Sequence, residues 1–368
     1  MYNPPQMKIL GIETSCDETA AAVVEDGERL LSNVVATQID IHKQYGGVVP
    51  EIAARSHIEV VNPVIEEALE KADCSWEDID AIAVTNGPGL SGSLLIGTLA
   101  ARTLALTKNK PLYPVNHVTG HVYANFLLDP QPKFPMLALI VSGGHSQLAL
   151  FHNHLEYALL GQTQDDAVGE AYDKVAKVIG LEYPGGPSIE KASAFGDPMA
   201  YEFPKARMPK REIILPGKWF GHDEPYVIQN SYDFSFSGLK TAVLRKVQAE
   251  CDKPHDFPSF ELAELLSESQ VNNFAASFNR VAVETVVEKA MMAFEEFSPQ
   301  SVVIAGGVAA SKELRKQLQE ALPIDIDYAD MSLCTDNAAM IATLGYYVAQ
   351  KENATDPHLV TVAPNLKM

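Results

Sequence analysis

Two histidines four residues apart, His117 and His121 in "NHVTGHVYA", are the pair in this chain best spaced to hold a metal. On a helix, residues i and i+4 share one face, so two imidazoles at this spacing can close on a single divalent ion. A zinc protease built on such a pair carries a glutamate directly after the first histidine, as general base toward a metal-bound water. Here that position is Val118, which raises the question of what a two-histidine site would do without that base. The competing reading is a pair of satisfied or surface histidines on a helix.

Three further turns have the composition of phosphate-binding loops: "ETSCDET" (Glu13–Thr19), "VSGGH" (Val141–His145) and "AGGVAAS" (Ala305–Ser311). Glycine lets backbone N–H groups approach a phosphate closely, and a helix N-terminus beyond the turn adds a favourable dipole. Any one of them alone reads as a plain turn. Together they fit a two-lobed arrangement in which paired hairpin loops hold phosphates and a Gly-Gly turn of the second lobe holds a nucleoside.

The elements that would position these residues alternate between strand and helix patterns. "MKILGIETSCDETAAAVVEDGERLLSNVVAT" predicts two or three strands with a hairpin at Asp26-Gly27, and "MLALIVSGGHSQLALFHNHLEYALLG" repeats that architecture. Between the copies, "SHIEVVNPVIEEALEKA" and "HVTGHVYANFLL" have helical spacing, and "IDAIAVTNGPGLSGSLLIGTLAARTLALT" reads strand, Gly-rich loop, helix. After the second copy come the helix "DDAVGEAYDKVAKVIGL", the loop "EYPGGPS", an irregular stretch from Ala194 to Asp233, helices from Gly238 and the strand-turn-helix "SVVIAGGVAASKELRKQLQEAL". The expected class is α/β, a duplicated, two-lobed fold with mixed sheets flanked by helices. Lobe one spans 1–130 and is completed by a C-terminal helix, 334–368, that returns to it; lobe two spans 131–333.

Composition excludes several classes. A chain of 368 residues, 46% hydrophobic, can bury one large core or two lobes, and no run approaches the roughly 20 apolar residues of a membrane span. "MYNPPQMKILGIETS" lacks the charged segment and cleavage site of a secretory leader. Cys16, Cys74, Cys251 and Cys334 are scattered without metal or redox spacing, which fits reduced thiols in a cytoplasmic protein. A net charge of −20 argues against broad nucleic-acid binding, so a nucleic-acid substrate would need a local basic patch or a basic partner. "KARMPKR" (Lys205–Arg211) is such a patch, expected as an exposed loop able to contact RNA or simply to be solvated.

The ordered set "GIETSCDET", "GGVVPEIAARSH", "NHVTGHVYA", "VSGGHSQL", "DDAVGEAYDKVAKVIGLEYPGGP", "FSFSGLKTA", "IAGGVAAS" and "CTDNAAMIA" resembles the TsaD (Gcp) family of the actin/Hsp70/sugar-kinase superfamily, from about Met7 to the final helix. The resemblance implies an ASKHA, RNase H-like fold and a tRNA N6-adenosine threonylcarbamoyltransferase. Such an enzyme moves the threonylcarbamoyl group from threonylcarbamoyl-adenylate to N6 of the adenosine beside the anticodon, in tRNAs reading codons that begin with A. It also implies a TsaB-like noncatalytic paralogue, a TsaE-like ATPase and one divalent metal per subunit, usually given as Fe(II), with Zn also compatible.

Carried over residue by residue, the metal ligands fall on His117, His121 and Asp336, and the adenylate contacts on Ile140, Val141, Ser142, Gly143, Gly144, Asp173 and Gly186. Ser311 stands where the family usually has Asn, with shorter reach. Glu13 and Asp17, in the first hairpin loop, are candidates to support the metal from behind its ligands, or simply to shape the turn. Asp336 could also cap the last helix, Asp173 could be a solvated helix charge, Gly186 a turn glycine, and Lys240 a solvated helix lysine. The attacking group is then an adenine amine, so the metal need not make hydroxide and Val118 is no defect. The alternatives are an ATP-dependent kinase-like member of the same fold or a metal-dependent hydrolase.

Overall fold

The computed structural model describes residues 6–368; Met1–Pro5, on which part of the leader reading rests, lie outside the described residues. Contacts group the chain into two compact units, one running to Pro132 and including Tyr328–Met368, the other Lys133–Asp327.

The first unit is built on a five-stranded sheet of β1 (Lys8–Glu13), β2 (Glu18–Glu25), β3 (Arg29–Thr37), β4 (Ala81–Gly87) and β5 (Leu112–Asn116), ordered β3-β2-β1-β4-β5. β1, β2 and β3 pair antiparallel, and β4 and β5 run parallel to β1. The β2–β3 turn uses Asp26 (φ 54°) and Gly27 (φ 73°), the two positive φ values that suit a tight hairpin between twisted strands. β1 is buried on both faces, as a strand covered by helices on each side must be. Leu10 and Ile12 join Val61, Val64 and Ile65 of the Pro50–Lys71 helix in one core, whereas a Cβ on Gly11, pointing the other way, would lie 2.3 Å from the Ala338 carbonyl. Only glycine lets the final helix, Ala339–Lys351, lie this close to β1, and that approach fixes the segment carrying Asp336.

The second unit repeats the plan. β6 (Met136–Val141), β7 (Ser146–Asn153) and β8 (Glu156–Gln162) form antiparallel pairs, β11 (Ser301–Ala305) runs parallel to β6, and β12 (Ile326–Tyr328) flanks it, in the order β12-β11-β6-β7-β8. Helices Val168–Val178, Gly185–Ser193, Ser237–Glu250, Glu268–Phe297 and Lys312–Ala321 accompany this sheet.

Three expectations are corrected. The stretch Ala194–Asp233 is not wholly irregular: it holds a separate antiparallel pair, β9 (Arg211–Leu215) and β10 (Tyr226–Asn230). Its alternation is real, with Ile213, Leu215 and Ile228 buried and Ile214 and Val227 exposed, but each run is only five residues long among prolines and glycines. "EYPGGPS" is not wholly loop, because Gly185, Gly186 and Pro187 form the first turn of a helix, where a missing N–H is tolerated. The C-terminal segment 334–368 is not one helix: Cys334 ends a short helix, Met331–Cys334, a second covers Ala339–Lys351, and beyond Glu352 the chain runs without helix or strand. No helix among the described residues is long and apolar enough to cross a membrane.

Candidate functional site

β5 ends at Asn116, whose side-chain oxygen accepts the N–H groups of Val118 (2.8 Å) and Thr119 (3.1 Å) and so caps the helix His117–Tyr123. The predicted helix exists, with a 3₁₀ turn, Ala124–Leu127, continuing it. His117 and His121 therefore share a face, their ring centroids 4.7 Å apart, and both are buried. Asp336 precedes the final helix and turns its carboxylate toward them: Oδ1 lies 3.7 Å from His117 Nε2 and 3.2 Å from His121 Nε2. At the start of this helix Asn337 accepts the Met340 N–H at 3.1 Å.

This donor set fits a divalent metal. Ligand atoms bonded to one ion at about 2.1 Å sit roughly 3–3.5 Å from one another; the two separations to Asp336 are close to this, and all three donor atoms lie within 4.8 Å of one another. Two imidazoles and a carboxylate suit Fe(II) or Zn and leave positions for substrate oxygen. Although His121 Nε2 is 3.2 Å from Asp336, the contact lacks hydrogen-bond alignment, and both ring nitrogens of His121 are buried without a hydrogen-bond partner among the described residues. A cation between imidazole and carboxylate satisfies Nε2; such orphaned buried atoms are otherwise costly.

Behind His117 stands Glu13, fully buried at the end of β1. Its Oε1 accepts the Ser15 N–H, while Oε2 accepts the Thr85 hydroxyl (2.5 Å) and faces His117 Nδ1 (3.1 Å). Ser15 Oγ also touches His117 Nδ1, at 3.0 Å. Burial opposes charge on His117, but Asp336 and Glu13 outweigh it and push its pKa up to about 9. Burial likewise disfavours ionised Glu13, yet His117 and Thr85 leave its carboxyl below the usual range. Glu18, the first residue of β2, is pushed up to about 9 by burial and by Asp336 and Asp17. Negative charge is thus crowded around Asp336, a setting that a cation relieves. Ser15, Thr85, Asn116 and Glu18 were not legible as site residues. Thr85 reaches Glu13 only through the parallel register of β4 on β1, in which Ile12 pairs with Val84.

On the second unit, the β6–β7 loop carries Ser142, Gly143 and Gly144, continuing Ile140 and Val141 of β6. The loop is closed by Ser142 N–H to the His145 carbonyl (2.8 Å) and His145 N–H to Ser142 Oγ (3.1 Å). A Cβ on Gly143 or Gly144 would meet nothing within 4 Å, so their backbone is open to a ligand. The helix starting at Val168 abuts this loop: a Cβ on Gly169 would lie 2.6 Å from the Ser142 carbonyl. Asp173 accepts the Gly185 N–H at 2.7 Å, tying the start of the next helix to its own, and Gly186 beside it faces open space. Ser311 is the N-cap of the Lys312–Ala321 helix, its hydroxyl accepting the Leu314 N–H at 3.3 Å.

Lys240 is not a solvated lysine: its ammonium pairs with Asp166 at 2.6 Å, as does Lys174 at 2.8 Å. In the basic segment, Lys205 pairs with Glu284 and Arg211 with Asp233, while Arg207 and Lys210 are exposed.

A chain 95% covered by superposition on full-length HypF in its phosphate- and nucleotide-bound form, at TM-score 0.55, 11% identity and 47% of HypF, shares that protein's fold. With the repeated strand order, this defines the class: an α/β fold of two units, each built on a mixed sheet flanked by helices. Within it, residues 29–343 match the family model TsaD, described as tRNA N6-adenosine threonylcarbamoyltransferase. Proteins of that name from Thermomicrobium roseum (48% identical over 358 residues, 94% of this chain and 93% of theirs) and Symbiobacterium thermophilum (50% over 343 residues, 92% and 91%) are similar along nearly their whole length. The chain belongs to the TsaD family.

Proposed function

We propose that this chain, as a tRNA N6-adenosine threonylcarbamoyltransferase, transfers the threonylcarbamoyl group of threonylcarbamoyl-adenylate to N6 of the adenosine beside the anticodon in tRNAs that read codons beginning with A. The observation that carries the reading is the convergence of His117, His121 and Asp336, whose donor atoms lie within 4.8 Å of one another, in a chain of this family. In the reaction the adenine amine attacks the carbamoyl carbon, the carbon–oxygen bond to the adenylate phosphate breaks, AMP leaves and N6 gives up a proton. No water is activated, which is consistent with Val118 standing where a hydrolase keeps its glutamate.

His117, His121 and Asp336 would hold one divalent metal, Fe(II) or Zn. When bound, it supplies Lewis acidity toward a carbamoyl or phosphate oxygen. Glu13 keeps the proton of His117 on Nδ1 and its Nε2 lone pair free, and Asp17 adds negative charge to the same loop. The backbone of Ile140, Val141, Ser142, Gly143 and Gly144 is assigned to the adenylate, Gly186 to its nucleoside and Asp173 to its ribose. The Asp173 oxygen holding Gly185 N–H orients the carboxylate for that contact. Ser311, engaged as a helix cap, is assigned a water-mediated contact at most.

The net charge of −20 supports leaving much of the tRNA grip to partners, a TsaB-like paralogue and a TsaE-like ATPase in the cytoplasm, with Arg207 and Lys210 contributing locally. The test is nucleoside analysis of unmodified tRNA after incubation with this chain, those partners and threonylcarbamoyl-adenylate. The expected product is N6-threonylcarbamoyladenosine at the position beside the anticodon; release of threonine into water without modified tRNA would refute the transferase reading in favour of a hydrolase.

A further inference from the structure

Residues 352–368 lie along the first unit without helix or strand, yet they are held at regular intervals. Thr355 N–H donates to the Leu112 carbonyl (2.9 Å) at the start of β5, and Val360, 2% exposed, enters the core. Ala363 N–H donates to the Asn86 carbonyl (2.7 Å), and Gly89 N–H donates to the Pro364 carbonyl (3.1 Å). Gly87, between them, has no room for a side chain: a Cβ would lie 2.0 Å from the Ala363 carbonyl. Finally Asn116 Nδ2 donates to the Lys367 carbonyl at 3.2 Å.

Asn116 is the residue whose other amide atom caps the His117–Tyr123 helix. One carboxamide thus joins the segment to the first turn of the helix bearing both histidines. A second route runs through the loop after β4, where Leu90 N–H donates to the Ser15 carbonyl (2.8 Å) and Ser15 Oγ touches His117 Nδ1 (3.0 Å). The first route ends on the backbone of the turn that begins with His117, the second on the His117 imidazole itself.

We infer that residues 355–367 act as a strap that positions His117 for metal, with Asn116 as the positioning residue that transmits it; this rests on the reading that His117, His121 and Asp336 hold a metal. Groups that orient ligands from behind are worth about 10- to 100-fold in metal affinity. A strap that tightens metal binding is itself tightened by metal to the same degree, since coupling is reciprocal.

The test uses the full chain and Zn²⁺ alone, with dissociation constants from competition against a chromophoric chelator. Asn116→Ser keeps a capping oxygen but cannot reach Lys367, and Gly87→Ala displaces the strap without touching the helix. Each is expected to weaken Zn²⁺ about tenfold. In the wild type, which needs no altered fold, Zn²⁺ should slow amide hydrogen exchange in 355–367 together with 117–123. Wild-type affinity in both variants, or in whichever of them folds, or unchanged exchange in 355–367 when Zn²⁺ protects 117–123, overturns the strap. His121→Ala separates the premises: if it binds Zn²⁺ as tightly as wild type, the metal site itself is wrong, and the strap falls with it.

Discussion

Replacing Glu13 with glutamine probes the logic of the site with the least change in shape. Glu13 accepts at two oxygens: Ser15 N–H occupies Oε1, while Oε2 takes both the Thr85 hydroxyl and His117 Nδ1. A glutamine that still serves Ser15 with its oxygen must place its NH₂ where Oε2 was. Thr85 can rotate its hydroxyl to accept, but His117 can accept at Nδ1 only by moving its proton to Nε2, the nitrogen that faces Asp336. The lone pair needed for metal is then lost, together with part of the negative charge that raises His117 to about 9. The flipped amide spares His117 but leaves the buried Ser15 N–H facing another donor. Either way the expected loss is about 10- to 100-fold in metal affinity, or roughly 1.4–2.7 kcal/mol. The assay is Zn²⁺ competition with a chelator at pH 8, with circular dichroism to show that the variant is folded. A folded Glu13→Gln protein that binds Zn²⁺ as tightly as wild type would refute the tautomer argument.

Other consequences follow from named contacts. Metal-free His117 holds its proton up to about pH 9, so Zn²⁺ uptake near pH 7.5 should release close to one proton, and affinity should rise with pH and level off above about 9; calorimetry in buffers of different ionisation enthalpy reads this directly, and buffer-independent heats would exclude it. The raised pKa also sets a sign for the metal-free protein: His117 contributes stability below its unfolded value of about 6.5 that is lost as pH rises through 9. Burial lowers the pKa of His57, which bonds Thr19 Oγ1 at 2.7 Å and the Cys16 carbonyl at 2.9 Å. Its contribution is therefore full above about 6.5 and lost as pH falls through its lower folded value, and a folded His57→Gln variant should show a flatter acid limb in urea titrations. Gly169→Ala must push the Ser142–Gly143 backbone aside, at a cost of about 1–3 kcal/mol, and should raise KM for the adenylate while leaving Zn²⁺ affinity unchanged; an unaltered KM would remove that loop from the adenylate site.

Much of this was visible in the residue pattern. Long periodic segments, the Asp26-Gly27 hairpin and the repeated strand-turn-strand units are governed by local rules, so two mixed sheets flanked by helices could be anticipated, though not their five strands each. The pairing of His117 with His121 is likewise helical geometry, and it needs nothing beyond spacing. What escaped depends on tertiary register. Thr85 meets Glu13 because β4 runs parallel beside β1, and Lys240 finds Asp166 across 74 residues of chain. The β9–β10 pair was hidden because two five-residue strands among prolines and glycines carry little periodic signal.

The central claim is that one metal, held by His117, His121 and Asp336, is required for transfer to tRNA. Its most direct test is to measure metal content and threonine transfer from threonylcarbamoyl-adenylate side by side in wild type, His121→Ala and Asp336→Asn, each folded and each with the same partner proteins. The account predicts about one metal per wild-type chain, and loss of metal and of transfer together in both variants. Full transfer by a variant that retains no metal would contradict it.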